Sequence, residues 1–328
     1  MSTRLLPTSY FLLPTSYFLP PISYLLPPTS YLLPPTSYFL PPISYLLPPT
    51  PHSPLPTPPM FIDTHCHLNF HQFDEDRDAV VQRAWEAGVA IIVNPAVDLA
   101  TSRQAIDLAE RYPGVYAQVG IHPNDATDFG SATVAELAAL ATHPKVVAIG
   151  EIGLDYHWQR VPHAQQWAAF EAQLELASRL DLPVVLHCRD AHADLRDILR
   201  KWVPGAQMQR GADAILGVLH AYSGDFAMAE EAFAWNMVLS FGGPLTFRNA
   251  KDLHALLPLL PLERLLLETD APYLTPHPYR GQRNEPAYIP LIAQGLAAIK
   301  NSDIADVASA TSALARAVFA KLAIDSHN

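Results

Sequence analysis

The sequence from Met60 onward predicts a (β/α)8 TIM barrel, an α/β fold. Short apolar segments alternate with stretches whose apolar residues recur at helical spacing, and eight such segments occur in order. The length of this region and its alternation are typical of a parallel barrel. Histidine, glutamate or aspartate stands at the end of nearly every apolar segment, where barrel enzymes carry their reactive groups. The fold class and the position of an active site are therefore predicted together.

The predicted strands are short apolar runs, several of them rich in valine and isoleucine, which β-structure favours. In chain order they span residues 61–67, 89–93, 115–122, 146–153, 183–188, 214–221, 237–242 and 264–270. Amphipathic patterns predict helices over residues 76–88, 98–111, 131–142, 163–180, 190–201, 225–235, 248–257, 288–300 and 303–322. A doubly wound open sheet is the alternative fold. We disfavour it because no glycine-rich phosphate loop follows the first strand, and because polar motifs end nearly every strand instead of clustering at one switch point.

Residues 1–59 differ in composition from the rest of the chain, since they contain no Asp, Glu or Lys and a single arginine, Arg4. A seven-residue unit such as LPPTSYL recurs through this segment, and its prolines exclude a long helix or a central strand. We expect a Pro-rich, disordered, low-complexity segment. Three interpretations are open: a polyproline-type interaction arm, a degenerate targeting peptide, or a translated tandem repeat ahead of a native start at Met60. The third is favoured because Met60 immediately precedes the first predicted strand.

The formal charge of the chain is −11 at pH 7, which argues against an extended basic surface. A nucleic-acid substrate would therefore have to be bound locally, at a strand end or through metal. The two cysteines, Cys66 and Cys188, each stand beside a histidine, which fits a reduced compartment and makes the cytoplasm the expected location. No apolar run after Met60 approaches the roughly 20 residues that span a bilayer, so no membrane segment is expected. No obligate protein partner is inferred.

Candidate metal ligands stand at the predicted strand ends. His65 and His67 are two residues apart on the first strand, so both side chains are expected to point into the barrel while Cys66 points outward. His187 is expected to point inward by the same alternation. A histidine or carboxylate at the end of a buried strand is costly unless it is paired or binds a cation. The converging set is His65, His67, Glu151, His187, His220 and Asp270.

Four histidines and two carboxylates suit two divalent ions. Glu151, on the fourth strand, is expected to bridge them, with one ion beside the histidine pair of strand one and the other beside the histidines of strands five and six. Such ions would lower the pKa of a shared water and stabilise a leaving oxygen. Asp270 is expected to ligate one ion and to accept the proton of the attacking water, so Glu151 and Asp270 are the predicted catalytic residues. The donor set leaves the metal open among Zn²⁺, Mn²⁺, Co²⁺ and Fe²⁺.

Seven segments carry a family resemblance because they occur in one order and at suitable intervals: FIDTHCHL, VGIHP, AIGEIGLDY, PVVLHCRDA, VLHAYSG, LLLETDAPYL and GQRNEP. Together they resemble the TatD family of metal-dependent deoxyribonucleases, within the amidohydrolase superfamily, from Met60 to about Ala323. The resemblance implies a TIM barrel and a two-metal site that works with Mg²⁺ or Mn²⁺ in assays. It also implies hydrolysis of phosphodiester bonds from a 3′ end, with the ends of single-stranded DNA as the expected partner.

By motif position, the resemblance implies the same six metal ligands. It further implies that four residues contact phosphate or the leaving nucleotide: His122 in GIHP, Arg189 in HCRD, and Arg283 and Asn284 in GQRNEP. The sequence departs from the family at strand six, where LHAYSG stands in place of the more usual HCFSG form. Ala221 in this segment is expected to face away from the barrel mouth.

Two other functions stay open. Other hydrolases of the same superfamily cleave C–N or ester bonds, as lactonases and amidases do, and many bridge their metals with a carboxylated lysine at the end of strand four. This chain has Glu151 there, which favours phosphodiester hydrolysis. A non-catalytic nucleic-acid-binding module with a dead site is the other alternative, and the complete ligand set argues against it. Asp155 and Glu268 are expected either to orient ligands or to stabilise the fold, and Trp158 is a candidate for stacking on a base.

Overall fold

The computed structural model describes residues 60–322, and the repeat at residues 1–59 lies outside them. Eight parallel strands follow one another in chain order around a single sheet. The last strand returns to the first: the backbone N–H of Thr64 donates to the carbonyl of Leu267 at 3.1 Å, and that of Asp270 donates to the carbonyl of His65 at 2.8 Å. The predicted (β/α)8 barrel is confirmed.

The strands and helices alternate as the sequence predicts. The strands are β1 Phe61–Asp63, β2 Val89–Asn94, β3 Val115–Val119, β4 Val146–Asp155, β5 Val184–Arg189, β6 Gly217–Leu219, β7 Met237–Phe241 and β8 Leu265–Leu267. The helices are α1 Arg77–Glu86, α2 Leu99–Arg111, α3 Ser131–Leu140, α4 His163–Leu180, α5 His192–Arg210, α6 Phe226–Ala234, α7 Lys251–Leu256, α8 Ile289–Lys300 and α9 Ile304–Val318. Of the helices described, none combines the length and the apolar character that crossing a membrane requires.

The strand ends at the barrel mouth differ from the prediction, because β1, β3, β6 and β8 each end a few residues earlier. The residues beyond these points keep single hydrogen bonds to the neighbouring segment but do not continue a regular ladder. Ala221 and Asp270 have φ angles of 44° and 53°, which a strand does not accommodate. Helix α5 is longer than predicted: it continues through Pro204, where the burial of Val203 and Ala206 outweighs the backbone donor that proline removes.

The barrel interior is filled by an apolar cluster that includes Ile62, Val147 and Val218. Helix α9 contributes Ala315 and Val318 to the same cluster, and it packs against β1 and β8. It therefore closes the end of the barrel at which the strands begin. A larger apolar cluster lies between the strands and the surrounding helices. With both layers apolar, the polar side chains collect at the opposite end, where the strands finish.

Candidate metal centre

The carboxyl ends of the strands bring the six predicted ligands together. His65 and His67 follow β1, His187 lies in β5, His220 follows β6 and Asp270 follows β8. Glu151 differs from its predicted place at a strand end, since β4 continues past it to residue 155. The pairing of β4 with β5 shifts register between residues 149 and 152, and such an irregularity re-aims a side chain without ending the strand. The shift turns the Glu151 carboxylate toward the ligands of four other strands.

The two oxygens of Glu151 face two different groups of histidines. Oε2 lies 3.5 Å from Nε2 of His65 and 3.6 Å from Nε2 of His67. Oε1 lies 2.7 Å from Nδ1 of His187 and 2.8 Å from Nε2 of His220. A carboxylate in this position can offer one oxygen to each of two cations.

Asp270 lies on the side of Glu151 that faces strand one. Its Oδ1 is 3.8 Å from Nε2 of His65 and 3.5 Å from Nε2 of His67. Sets of possible ligand atoms lie within 4.8 Å of one another in three combinations among the described residues: His65, His67 and Glu151; His65, His220 and Asp270; and His122, Glu151 and His187. His122, which the family resemblance assigns to substrate contact, therefore also lies within ligand distance.

The unpartnered atoms of these histidines fit a divalent cation. Both ring nitrogens of His65 are buried without a hydrogen-bond partner, as are Nδ1 of His67 and Nδ1 of His220. A buried polar atom left without a partner is costly, and a cation beside Nε2 of His65 would remove that cost. Imidazoles combined with carboxylates form a donor set that Zn²⁺ and Mn²⁺ accept.

The electrostatics of the centre keep its carboxylates ionised. Burial acts to lower the pKa of His187 and of His220, but Asp155 and Glu151 beside the first and Glu151 beside the second raise both above the usual value. Burial alone would raise the pKa of Glu151, but His220, His122 and His187 outweigh it and hold that pKa well below its usual value. Burial likewise acts to raise the pKa of Asp270, and the neighbouring histidines at positions 67 and 65 lower it overall. The pKa of His65 is lowered by burial and by the charge of His220. Ionised carboxylates and a neutral imidazole are the protonation states that metal binding requires.

Two further carboxylates lie beside the ring nitrogens of His187 and His220 that do not face Glu151. Oδ2 of Asp155 lies 3.2 Å from Nε2 of His187. Oε1 of Glu268 lies 3.7 Å from Nδ1 of His220 and accepts the backbone N–H of Ala221 at 2.7 Å. Each can fix the orientation of an imidazole, as carboxylates behind metal-bound histidines do.

One buried acid at the centre escaped the sequence analysis. Asp63, the last residue of β1, accepts backbone N–H groups from His65 at 3.2 Å and Thr269 at 3.0 Å. Complete burial raises its pKa to about 8. The available signal was an acid inside the apolar FID segment, just before the histidine pair. By joining β1 to the segment after β8, Asp63 holds the His65 backbone near that of Asp270.

The centre opens into a cleft with a volume of about 520 Å³. Its lining includes His122, Asn124, Trp158, Arg160, Arg189 and Asp270. A second cavity of about 800 Å³ also touches Asp270 and lies between the loops after β6 and β7. Its walls are mainly apolar, and Ala221 is among the residues that line it.

Two of the four residues that the resemblance assigns to substrate do not reach the cleft. The guanidinium of Arg283 donates to the Asp76 carboxylate with two contacts of 2.7 Å and lies over the ring of Phe73. Asn284 is fully buried and donates to the carbonyls of Thr269 at 2.8 Å and residue 273 at 2.6 Å. The loop that carries this pair packs against α1, where Arg283 binds the Asp76 carboxylate, and Asn284 holds the Asp270 segment through the carbonyls on both sides of it.

A closed (β/α)8 barrel with a histidine and carboxylate centre at its carboxyl end defines a metal-dependent hydrolase of the TIM-barrel class. The profile of the family described as TatD related DNase matches residues 62–320. The chain belongs to this family.

Individual relatives agree with this assignment. The chain is 42% identical over 260 residues to the uncharacterized metal-dependent hydrolase YabD of Bacillus subtilis (strain 168), covering 79% of this chain and 99% of the relative. It is 39% identical over 263 residues to the 3′-5′ ssDNA/RNA exonuclease TatD of Erwinia amylovora, covering 78% of this chain and 98% of the relative. The crystal structure of the TatD homolog YJJV from Escherichia coli K12 superimposes with a TM-score of 0.73 at 34% identity, covering 79% of this chain and 98% of YJJV.

Proposed function

We propose that this enzyme hydrolyses phosphodiester bonds at the 3′ end of single-stranded nucleic acid, with DNA as the primary substrate. The observation that carries the proposal is the position of Glu151, whose two oxygens face separate groups of histidines. The name of the Erwinia amylovora relative, a 3′-5′ ssDNA/RNA exonuclease, supports the choice of substrate. A cytoplasmic location belongs to the same proposal, since both cysteines are free thiols.

We assign two divalent ions, Mg²⁺, Mn²⁺ or Zn²⁺, to the two sides of Glu151. His65, His67 and Asp270 would hold the first ion together with Oε2 of Glu151, and His187 and His220 would hold the second together with Oε1. When bound, such ions supply Lewis acidity, which lowers the pKa of water and stabilises charge on a leaving oxygen.

Asp270 is the group best placed to move the proton. Its carboxylate is ionised, because the nearby histidines lower its pKa, and it lines both the cleft and the apolar cavity. It accepts the proton as the water oxygen bonds to phosphorus, and it returns the proton to the leaving oxygen as the old P–O bond breaks. His122 and Arg189, which line the same cleft, bind the phosphate oxygens.

The test follows end-labelled single-stranded DNA and RNA with the purified protein, first in EDTA and then with each metal added. We expect cleavage to stop in EDTA and to return when metal is added. In Glu151→Ala and Asp270→Asn, the cleavage rate with metal should be lower by about 100-fold or more. Glu175→Ala removes an exposed carboxylate of α4 and is the matched control, expected to retain full activity. Cleavage that is indifferent to EDTA and to both site variants would contradict the proposal. Hydrolysis of lactones or amides, with nucleic acids left intact, would favour the C–N and ester hydrolases of the same superfamily.

A further inference from the structure

The loop between β4 and α4 carries an exposed aromatic ring beside two arginines. The side chain of Trp158 is 53% exposed, a large fraction for a tryptophan. The guanidinium carbons of Arg160 and Arg189 each lie 5.6 Å from the centroid of its indole ring. All three side chains line the cleft that contains Glu151 and Asp270. Aromatic rings and arginines combined in this way bind single-stranded nucleic acids, because bases stack on the ring while phosphates meet the guanidinium groups.

The position of this cluster is fixed relative to the metal centre. Oδ1 of Asp155 accepts the backbone N–H of His157 at 2.9 Å and that of Trp158 at 3.3 Å. The other oxygen of the same carboxylate contacts His187. At the far end of the loop, the Gln166 amide donates to the carbonyl of Val161 at 3.0 Å. The Asp155 carboxylate therefore fixes the position of His187 and also that of the start of the loop that carries the Trp158 indole.

Charged side chains line both cavities, and in the cleft two of them are arginines. Within residues 60–322, neither Arg160 nor Arg189 forms an ion pair with a carboxylate. The lining of the cleft also includes the carboxylates of Asp125, Glu151, Asp155 and Asp270, and that of the apolar cavity includes Asp225, Asp252, Glu268 and Asp270 together with Lys251. In a chain with a net charge of −11, the guanidinium groups of Arg160 and Arg189 give a polyanionic strand local cationic partners in this cleft.

We propose that Trp158, Arg160 and Arg189 form a stacking subsite for one unpaired nucleobase of the substrate strand, with the guanidinium groups binding the flanking phosphates. This inference rests on the proposed function and extends it. A base inside a duplex has both faces covered by its neighbours, so only a splayed base can stack on the indole. The subsite therefore selects single strands and directs the strand out of the cleft past Trp158.

Binding is tested first without catalysis, by the fluorescence anisotropy of a short labelled oligothymidylate or oligouridylate on the full chain in EDTA. Trp158→Ala is expected to weaken binding by about tenfold, and Trp158→Phe to restore most of it. Arg160→Ala and Arg189→Ala are each expected to reduce the slope of log K against log salt by about 0.7. Trp85→Ala and Arg200→Ala, which remove exposed side chains outside the cleft, serve as matched controls and should bind as the unaltered chain does. Equal affinity in Trp158→Ala and the unaltered chain would overturn the subsite.

A second arm measures kcat/KM for strands with one abasic position at successive distances from the 3′ end. In the unaltered enzyme, the abasic site at one of these positions is expected to lower kcat/KM by about tenfold. In Trp158→Ala, an abasic site at the same position should lower kcat/KM by less than about twofold. Identical abasic profiles in the two proteins would reject the subsite while leaving the proposed hydrolysis intact. Trp158-dependent binding without hydrolysis of any strand by the metal-loaded enzyme would reject the proposed function and retain the subsite.

Discussion

The histidines of the centre are held in two different ways. The ring of His187 lies between Glu151 at Nδ1 and Asp155 at Nε2, and that of His220 lies between Glu151 at Nε2 and Glu268 at Nδ1. His65 has no such carboxylate behind it, and its ring stacks on His220 with centroids 3.9 Å apart. The orientation of His65 therefore depends on that of His220, and through it on Glu268.

This dependence gives a prediction for Glu268→Gln. Glutamine keeps an acceptor oxygen but removes the negative charge that faces Nδ1 of His220 at 3.7 Å, so a metal-bound imidazole would lose the carboxylate that orients its Nδ1–H. We expect metal affinity to fall by about 10- to 100-fold. The melting temperature without metal should change little, because glutamine keeps the shape of the side chain and an oxygen for the Ala221 N–H. Chelator competition measures the affinity, and thermal unfolding measures the stability.

Ser240→Ala is the matched control for this residue, since the Ser240 hydroxyl donates to Glu268 without touching a histidine. Its metal affinity should lie within about threefold of that of the unaltered protein, because the Glu268 carboxylate stays in place. Metal affinity in Glu268→Gln equal to that of the unaltered protein would show that Glu268 does not orient His220.

Among the secondary-structure elements, strand β4 departs most from a regular ladder. It carries both Glu151 and Asp155, and its register with β5 shifts beside the first of them. Gly153 lies between the two acids and pairs with His187, with a φ of +141°. A Cβ at this glycine would lie 2.0 Å from the carbonyl oxygen of His187. The backbone of β4 can approach β5 closely enough for the centre to form only because residue 153 has no side chain.

Gly153→Ala is therefore expected to destabilise the protein by about 2 kcal/mol or more and to reduce hydrolysis by displacing His187. Denaturant unfolding and kcat/KM on the same sample measure the two effects. Gly205→Ala, in the interior of α5, is the control because a Cβ there meets no atom within 4 Å. It should stabilise the protein by about 0.5–1 kcal/mol and leave kcat/KM unchanged. Equal stabilities for the two variants would contradict the close approach at Gly153.

The sequence was most informative where local pattern determines structure. Alternation of apolar runs with amphipathic stretches predicted the strands and helices. The side-chain period of two predicted that His65 and His67 share a face of a strand, whereas the structure brings both to Oε2 of Glu151 from beyond the end of β1. The sequence could not predict the register shift beside Glu151, because that depends on how β4 meets β5. Nor could it place Arg283, whose partner Asp76 is 207 residues away in the chain. The GQRNEP motif indicated that this loop matters, but long-range packing decided that it braces the barrel.

Apart from Phe61, the strands and helices of the barrel lie within the residues that the family profile matches. Helix α9 closes the end where the strands begin, and the family match runs from residue 62 to residue 320. The relative from Bacillus subtilis is covered over 99% of its own length by only 79% of this chain. The part of this chain that has no counterpart in the relative is therefore about as long as the Pro-rich segment, residues 1–59.

We therefore expect a chain of residues 60–328 to keep its melting temperature within about 2 °C and its kcat/KM unchanged. Met60 must be retained, since the Ser312 hydroxyl donates to its carbonyl at 2.9 Å and Phe61 begins β1. A chain starting at Thr64 is the contrasting variant: it loses β1 and the buried Ile62, so it should fail to fold or melt far lower. Thermal unfolding and oligonucleotide hydrolysis of the three chains provide the measurement. A drop of more than about 4 °C on removal of residues 1–59 alone, or a loss of kcat/KM, would mean that the repeat contributes to the barrel after all.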